Sequence, residues 1–264
     1  MDISLLGPIV VRENGSSIVP SAKKPRQLLA LLAFRAGQIV PIPTIIDELW
    51  GEEVPTSAAT TVQTYILQIR RLIAKAVSTS GAQSAKQILV TTIGGYRLEG
   101  RLESYDLRDH ARLIRQGTLA LGQGDALAAS DALGSALTMA RGPVLVDVPV
   151  GRVLELEVLG LTEERMRALE LRIEADLMLG RHAGLVPELR KLAAQHPLNE
   201  RLAAQLILAL YRSGQSWRAL DVFRQLRSTL VSELGIEPSP RLQRLHRAVL
   251  DCDPYLDGRG VIGL

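Results

Sequence analysis

Residues 57–77 read SAATTVQTYILQIRRLIAKAV. Val62, Ile66, Ile69, Leu72/Ile73 and Ala76 follow the 3.6-residue period of a helix and form an apolar stripe, with Tyr65 beside Ile66. The opposite stripe is Thr61, Thr64, Gln68, Arg71 and Lys75, at steps of three and four, flanked by Thr60, Leu67 and Arg70. Every member of that outer set can donate a hydrogen bond, and none is acidic. Thr and Gln are short enough to reach base edges in a major groove, while Arg71 and Lys75 near the far end suit phosphates. An ordinary amphipathic surface helix would carry Glu or Asp as well. The balance points to nucleic acid.

The charge around this helix agrees. Between Glu53 and Glu99 there is no acidic residue, yet Arg70, Arg71, Lys75, Lys86 and Arg97 lie there. Residues 1–100 hold 10 Lys/Arg against 7 Asp/Glu, and residues 101–264 hold 21 of each, so the net +3 sits wholly in the first part. An electropositive first domain joined to a neutral second one is what a phosphate-binding surface requires. A merely solvated face would intersperse the two signs.

Upstream, Ile3–Leu6, Ile9–Arg12 and Ser17–Val19 read as short strands, with Asn14-Gly15 a hairpin signal between the last two. Ser21 offers an N-cap and Pro25 a first-turn residue for a Leu-rich helix that Gly37 ends. Pro43 opens a second short helix that stops at Gly51, and Thr56 or Ser57 caps the third. After a loop over 78–87, Ile88–Thr92 and Tyr96–Glu99 flank Gly94-Gly95 as a hairpin. Thr91, Thr92, Tyr96 and Arg97 surround that Gly-Gly tip, which is small enough to approach a phosphate backbone or a minor groove. Lys24 and Arg26, with Lys23, offer a further phosphate clamp or are simply solvated. Strands, three helices and a hairpin in about 100 residues make the layout of a winged helix.

From Glu103 onward the pattern is helical apart from a break between Arg141 and Gly151. Gly180 and Gly214 end Ala/Leu-rich helices and stand 34 residues apart, the tetratricopeptide period, and Gly122-Gln123-Gly124 resembles an earlier turn of the same kind. A stack of helical hairpins follows. With 3% aromatic residues, Leu/Ala packing suits the composition better than a β-sandwich. The fold class is mainly α with small β: an N-terminal winged helix-turn-helix followed by an all-α tetratricopeptide-like domain. The expected boundaries are 1–100, 101–254 and a tail over 255–264.

Catalytic chemistry finds no footing. The four histidines are scattered, no P-loop or GxSxG elbow occurs, and the single Cys252 excludes a disulfide framework or a multi-cysteine metal cage. No catalytic residue, cofactor or metal is expected. MDISLLGPIVV has no basic leader, and no apolar run reaches the ~18 residues of a membrane helix. A soluble, cytoplasmic, nucleoid-associated protein is expected.

The residues that carry a family resemblance span nearly the whole chain. They are Leu5-Leu6-Gly7, the Lys24–Leu32 helix, Ile46–Gly51, Val62–Tyr65 with Arg70–Leu72, and Gly94–Leu98 in the first part. Arg141-Gly142-Pro143, Leu179–His182, His196–Leu202, Leu210–Gly214 and Glu233–Pro238 continue the series. In order and spacing the chain resembles the Streptomyces antibiotic regulatory protein (SARP) family of transcriptional activators. The resemblance implies an OmpR-type winged helix, a response-regulator-like output domain, and a bacterial transcriptional activation domain. It further implies binding to direct repeats of double-stranded DNA beside a promoter, self-association on DNA, and recruitment of RNA polymerase holoenzyme to a secondary-metabolite (antibiotic) cluster. By that resemblance Thr61, Tyr65, Gln68 and Arg70 lie on or beside the DNA face, and Thr92 and Tyr96 touch the backbone. A fragment ending near Gly100 is then expected to bind DNA without activating transcription. Two other classes compete: a tetratricopeptide-type interaction scaffold with a basic first domain, and a small-molecule-sensing regulator with a pocket near His182, Tyr211 and Trp217.

Overall fold

The computed structural model describes residues 1–77 and 84–258. Its first sheet runs β3-β2-β1-β7, with β1 (Asp2–Ser4), β2 (Val10–Glu13) and β3 (Ser16–Ser17) antiparallel neighbours, and β7 (Ser104–Tyr105) parallel to β1. Asn14 (φ 49°) and Gly15 (φ 75°) link the paired Glu13 and Ser16, the double positive-φ turn that Asn-Gly favours. The first strand is shorter than its sequence suggests. Its ladder stops at Ser4 because the N–H groups of Leu5 and Leu6 donate to Asp106 Oδ2 instead, at 2.7 and 2.9 Å.

Three helices follow: α1 (Lys23–Phe34), α2 (Ile42–Trp50) and α3 (Ala58–Val77), with β4 (Val40–Pro41) between the first two. The N-cap of α1 is Ala22 rather than Ser21, and no side chain caps it; Pro25 does occupy the first turn. The segment read as a loop holds a short helix, α4 (Ala85–Ile88), closed by a capping box between Ser84 and Gln87, while residues 78–83 lie outside the described residues. A second sheet, β4-β6-β5, pairs β5 (Leu89–Thr92) with β6 (Gly95–Leu98).

Two helices come next, α5 (Asp106–Gly122) and α6 (Ala126–Thr138). They are followed by α7 (Arg152–Met178), α8 (His182–Gln195), α9 (Glu200–Arg212), α10 (Ser216–Leu234) and α11 (Pro240–Leu250). Two compact units emerge. The first comprises residues 1–112 and 136–165, the second residues 113–135 and 166–264.

The winged helix in the first unit is completed by a strap well beyond residue 100. The Arg141 N–H donates to Leu6 O (2.7 Å), the Leu145 N–H to Gly7 O (2.8 Å), and the Ile9 N–H to Asp147 Oδ1 (2.8 Å). Gly7 (φ +146°) permits this, since a Cβ there would stand 3.0 Å from the Arg141 Cβ. Leu145, Val148 and Leu154 join the same core as Leu28, Leu31, Ile45, Ile66, Ile69 and Ile73.

The second unit is the stack of helical hairpins. Gly124, Gly180 and Gly214 all take left-handed conformations, with φ of 79°, 76° and 72°, at the three turns the spacing picks out. Every residue of α9 from Leu202 to Leu210 is buried, with α8 and α10 packed on it. Asn199 caps α9 by accepting from the N–H groups of Arg201 and Leu202, and is itself held by Glu170 (2.8 Å). No helix among the described residues is long and apolar enough to cross a membrane.

Candidate nucleic-acid interface

The apolar stripe of α3 is sunk into the first core: Val62, Ile66, Ile69, Ile73 and Ala76 are each 4% exposed or less. Thr60, Thr64, Gln68, Arg71 and Lys75 are exposed on the other side, and Thr61 is half-buried. The two threonine hydroxyls are turned back along the helix. Thr61 Oγ1 donates to Ser57 O (2.9 Å) and Thr64 Oγ1 to Thr60 O (3.1 Å). Their protons are thus occupied, and what they can offer a ligand in this arrangement is an acceptor lone pair and a methyl group. Those are the features that read exocyclic amines and thymine methyls in a major groove.

Several of the other sequence-derived residues have partners inside the fold. Arg70 leaves the outer stripe and reaches β5, donating from Nε and Nη2 to Leu89 O (3.0 and 2.7 Å) and from Nη2 to Thr91 Oγ1 (2.8 Å). It ties helix to wing. Tyr65 is half-buried against the core, and Tyr96 is buried at 6% exposure. The Thr92 hydroxyl is buried and has no hydrogen-bond partner among the described residues. Arg97 is neutralised locally by Glu99, donating from Nε and Nη2 to Oε2 at 3.1 and 2.7 Å. Lys24 Nζ donates to Leu49 O at the end of α2 and lies 5.0 Å from the Trp50 ring centre. Arg26 donates to Pro20 O (3.0 Å) and Asp147 O (3.1 Å). These bonds hold both side chains against the fold and leave only their remaining N–H groups for a phosphate.

The hairpin tip also differs from its sequence reading. Thr92 pairs with Gly95, so the turn is Ile93-Gly94 and Gly95 is the first residue of β6. Gly95 is required by its neighbour strand, since a Cβ there would lie 2.4 Å from the Val40 carbonyl oxygen. The residue presented at the tip is Ile93, fully exposed. Ile93 and Gln63 are exposed residues outside the stripe read from the sequence, and Leu67, read as flanking it, is half-exposed. Gln63 lies one step of three from Thr60, which was the signal for including it.

What remains outward on α3 is a band of short polar groups, Leu67, two alanines and two cations, with no carboxylate from Ala58 to Leu98. Such a band suits insertion between two phosphate backbones. Among the described residues no group of three His, Cys, Asp or Glu side chains is placed to hold a metal ion.

Comparison with known proteins places both parts. Residues 16–98 match the C-terminal domain of transcriptional regulatory proteins, and residues 105–250 match the bacterial transcriptional activator domain. The chain is 49% identical over 260 residues to the regulatory protein DnrI of Streptomyces peucetius, covering 98% of this chain and 96% of that one. It is 38% identical to the regulatory protein AfsR of Streptomyces coelicolor, over 96% of this chain and 24% of that longer protein. A solved structure of Mycobacterium tuberculosis EmbR in complex with a low affinity phosphopeptide matches with a TM-score of 0.84 at 32% identity, covering 96% of this chain and 65% of that one. With a winged helix at its front and a helical-hairpin stack behind it, the chain belongs to the Streptomyces antibiotic regulatory protein family of transcriptional activators.

Proposed function

We propose that this protein binds double-stranded DNA sequence-specifically through α3 and activates transcription of a secondary-metabolite cluster. In this reading α3 enters the major groove. Gln68, Thr61 and Thr64 read base edges, while Arg71 and Lys75 hold phosphates. Protomers bind direct repeats beside a promoter, touch one another there, and recruit RNA polymerase holoenzyme through the helical domain. The protein acts in the cytoplasm on the nucleoid, without catalysis of its own. The observation that carries this reading is the carboxylate-free outer band of α3 beside an exposed hairpin tip.

The direct-repeat claim has a geometric test. Tandem copies can touch only when both lie on one face of the duplex, which favours spacing near one helical turn, about 10–11 bp, or a multiple of it. Inserting about 5 bp between repeats is expected to abolish cooperative gel shifts and activation, and about 10 bp to restore part of both. Equal binding at every spacing would show that the protomers act independently. Retention on plain duplex that does not weaken with salt would remove the DNA reading itself.

A further inference from the structure

A cleft of about 450 Å³ opens between α8, α9 and α10 in the second unit. Its floor is apolar, made by Ala203, Leu206 and Leu210 of α9 with Leu226 of α10. A volume of this size suits a small organic molecule whose body is buried by apolar walls and oriented by a few polar groups. Of the three residues whose sequence suggested a pocket, only Trp217 lines this one; His182 and Tyr211 do not.

The rim has a definite chemistry. Trp217 stands at the mouth, 67% exposed, with the Arg218 guanidinium 5.1 Å from its ring centre. An indole left largely in water at the lip of an apolar cavity offers a stacking face whose covering is favourable. Across the cleft on α8, Arg190 has no hydrogen bond or ion pair among the described residues. The cleft's one carboxylate, Asp221, is already engaged, accepting from Gln225 Nε2 (2.8 Å) and Arg224 Nη2 (3.4 Å). Asn199 is committed to capping α9. Arg218 donates from Nη1 to Gln215 Oε1 and keeps its other N–H groups, so the cations facing the cleft are Arg190 and Arg218, with the His196 imidazole and the Gln225 and Thr229 side chains as its further polar groups.

We propose that this cleft is a binding site for a planar aromatic anion: a ring system that stacks on Trp217 over the Leu206–Leu210 floor and presents a carboxylate, sulfonate or phenolate to Arg190 and Arg218. A cationic ring would meet like charge at the rim, and a neutral one would leave Arg190 without a partner. A helical peptide is the weaker fit. It needs an apolar strip along several turns, whereas this floor spans only the two turns from Ala203 to Leu210. The site goes beyond DNA binding and does not depend on it.

The test is a fluorescence titration of the full chain with 1-anilinonaphthalene-8-sulfonate, read by dye emission and by quenching of tryptophan fluorescence, the share of Trp217 being the part lost in Trp217→Ala, which keeps Trp50. Saturable binding of one dye per chain is expected. Arg190→Glu is expected to weaken it about tenfold, as loss of a charge-assisted bond would, with no change in melting temperature. Trp217→Ala should weaken it similarly, and uncharged N-phenyl-1-naphthylamine should bind at least about tenfold more weakly than the sulfonate. Unchanged affinity in Arg190→Glu, or several dyes bound without saturation, would overturn the assignment. Equal binding of the neutral dye would overturn it too, and would mark the cleft as an apolar docking groove for a protein segment.

Discussion

The N–H of Gly151 donates to the Glu48 carboxylate over 2.6 Å, joining residues 103 positions apart. The second carboxylate oxygen accepts from the Leu154 N–H at 2.8 Å, so Glu48 caps the start of α7 from the end of α2. Gln27 Nε2 completes the set at 2.9 Å, and Glu48 itself is 2% exposed. The fit is close: a Cβ at Gly151 would fall 1.9 Å from the Glu48 carbonyl oxygen. Removing this carboxylate would leave two amide groups at the start of α7 without a partner in a dry environment.

Glu48→Ala is accordingly expected to destabilise the first unit by about 3 kcal/mol, measured by urea denaturation. By the same logic a fragment ending at Gly100 loses Asp106, Asp147, Leu145, Val148 and Leu154, all of which the winged helix uses. The expectation that such a fragment suffices for DNA binding therefore shifts. Residues 1–100 should melt without a sharp transition and bind duplex weakly. A sharp melt at the temperature of the full chain would show that the strap is dispensable.

Two histidines, His110 buried and His246 half-buried, set a pH dependence. Burial lowers the His110 imidazole below the usual histidine value of 6.5, against the opposing pull of Glu164 and Asp106. His246, stacked on Phe223 at 3.9 Å, is lowered by burial and by Arg224. Both groups stay neutral in the fold at a pH where the unfolded chain takes up protons. Their contribution is thus complete above about pH 6.5 and falls as pH drops through that value, levelling once the folded forms protonate. Urea midpoints compared at pH 7.5 and 5.5 should drop less in His110→Gln than in the parent. An equal drop would remove His110 from this account.

Much of both units was legible because the signals are local. The α3 stripe, the Asn14-Gly15 turn and the three left-handed glycines each declare themselves within a few residues. What could not be read depends on partners distant in the chain. Arg70, Lys24 and Arg26 look like free cations until Leu89, Leu49 and Asp147 are brought to them. Asp106, Asp147 and Glu48 look like solvated charges, yet they terminate backbone groups of other segments. The tip moved by one residue because the choice between two adjacent glycines was made by the Val40 carbonyl, 55 positions before Gly95.

The outer band of α3 should separate specificity from affinity. Gln68→Ala is expected to cost about 1–3 kcal/mol on the cognate site and to relax preference at the bases it reads. Arg71→Ala should weaken binding to every sequence and reduce the salt slope by about one unit. Gel-shift titrations at several salt concentrations measure both. If Gln68→Ala left preference and affinity intact, α3 would be facing DNA along another edge.

Arg70 should behave differently from Arg71, its neighbour. Three hydrogen bonds to Leu89 and Thr91 occupy its Nε and Nη2 groups. Arg70→Ala should therefore lower the melting temperature as well as DNA affinity, by about 2–3 kcal/mol of stability for bonds to a charged group. A variant with unchanged melting and a reduced salt slope would mean that Arg70 releases the wing to reach a phosphate.

Ile93 is the reverse case, since nothing in the fold holds it. It occupies the turn between Thr92 and Gly95, fully exposed, with Gly94 at φ +80° beside it. A substitution there has no core contact to lose, so Ile93→Ser should leave stability within about 0.5 kcal/mol of the parent. Burying an isoleucine side chain is worth about 1.5–3 kcal/mol, and apolar side chains at such tips can wedge into a minor groove. If the tip meets DNA, Ile93→Ser should weaken duplex binding by about 1–2 kcal/mol while leaving the salt slope unchanged, because no phosphate contact is removed. Gel shifts at two salt concentrations separate this from the loss of a cation. Full affinity in Ile93→Ser would mean that the hairpin stands clear of the duplex, leaving α3 to supply the contacts alone.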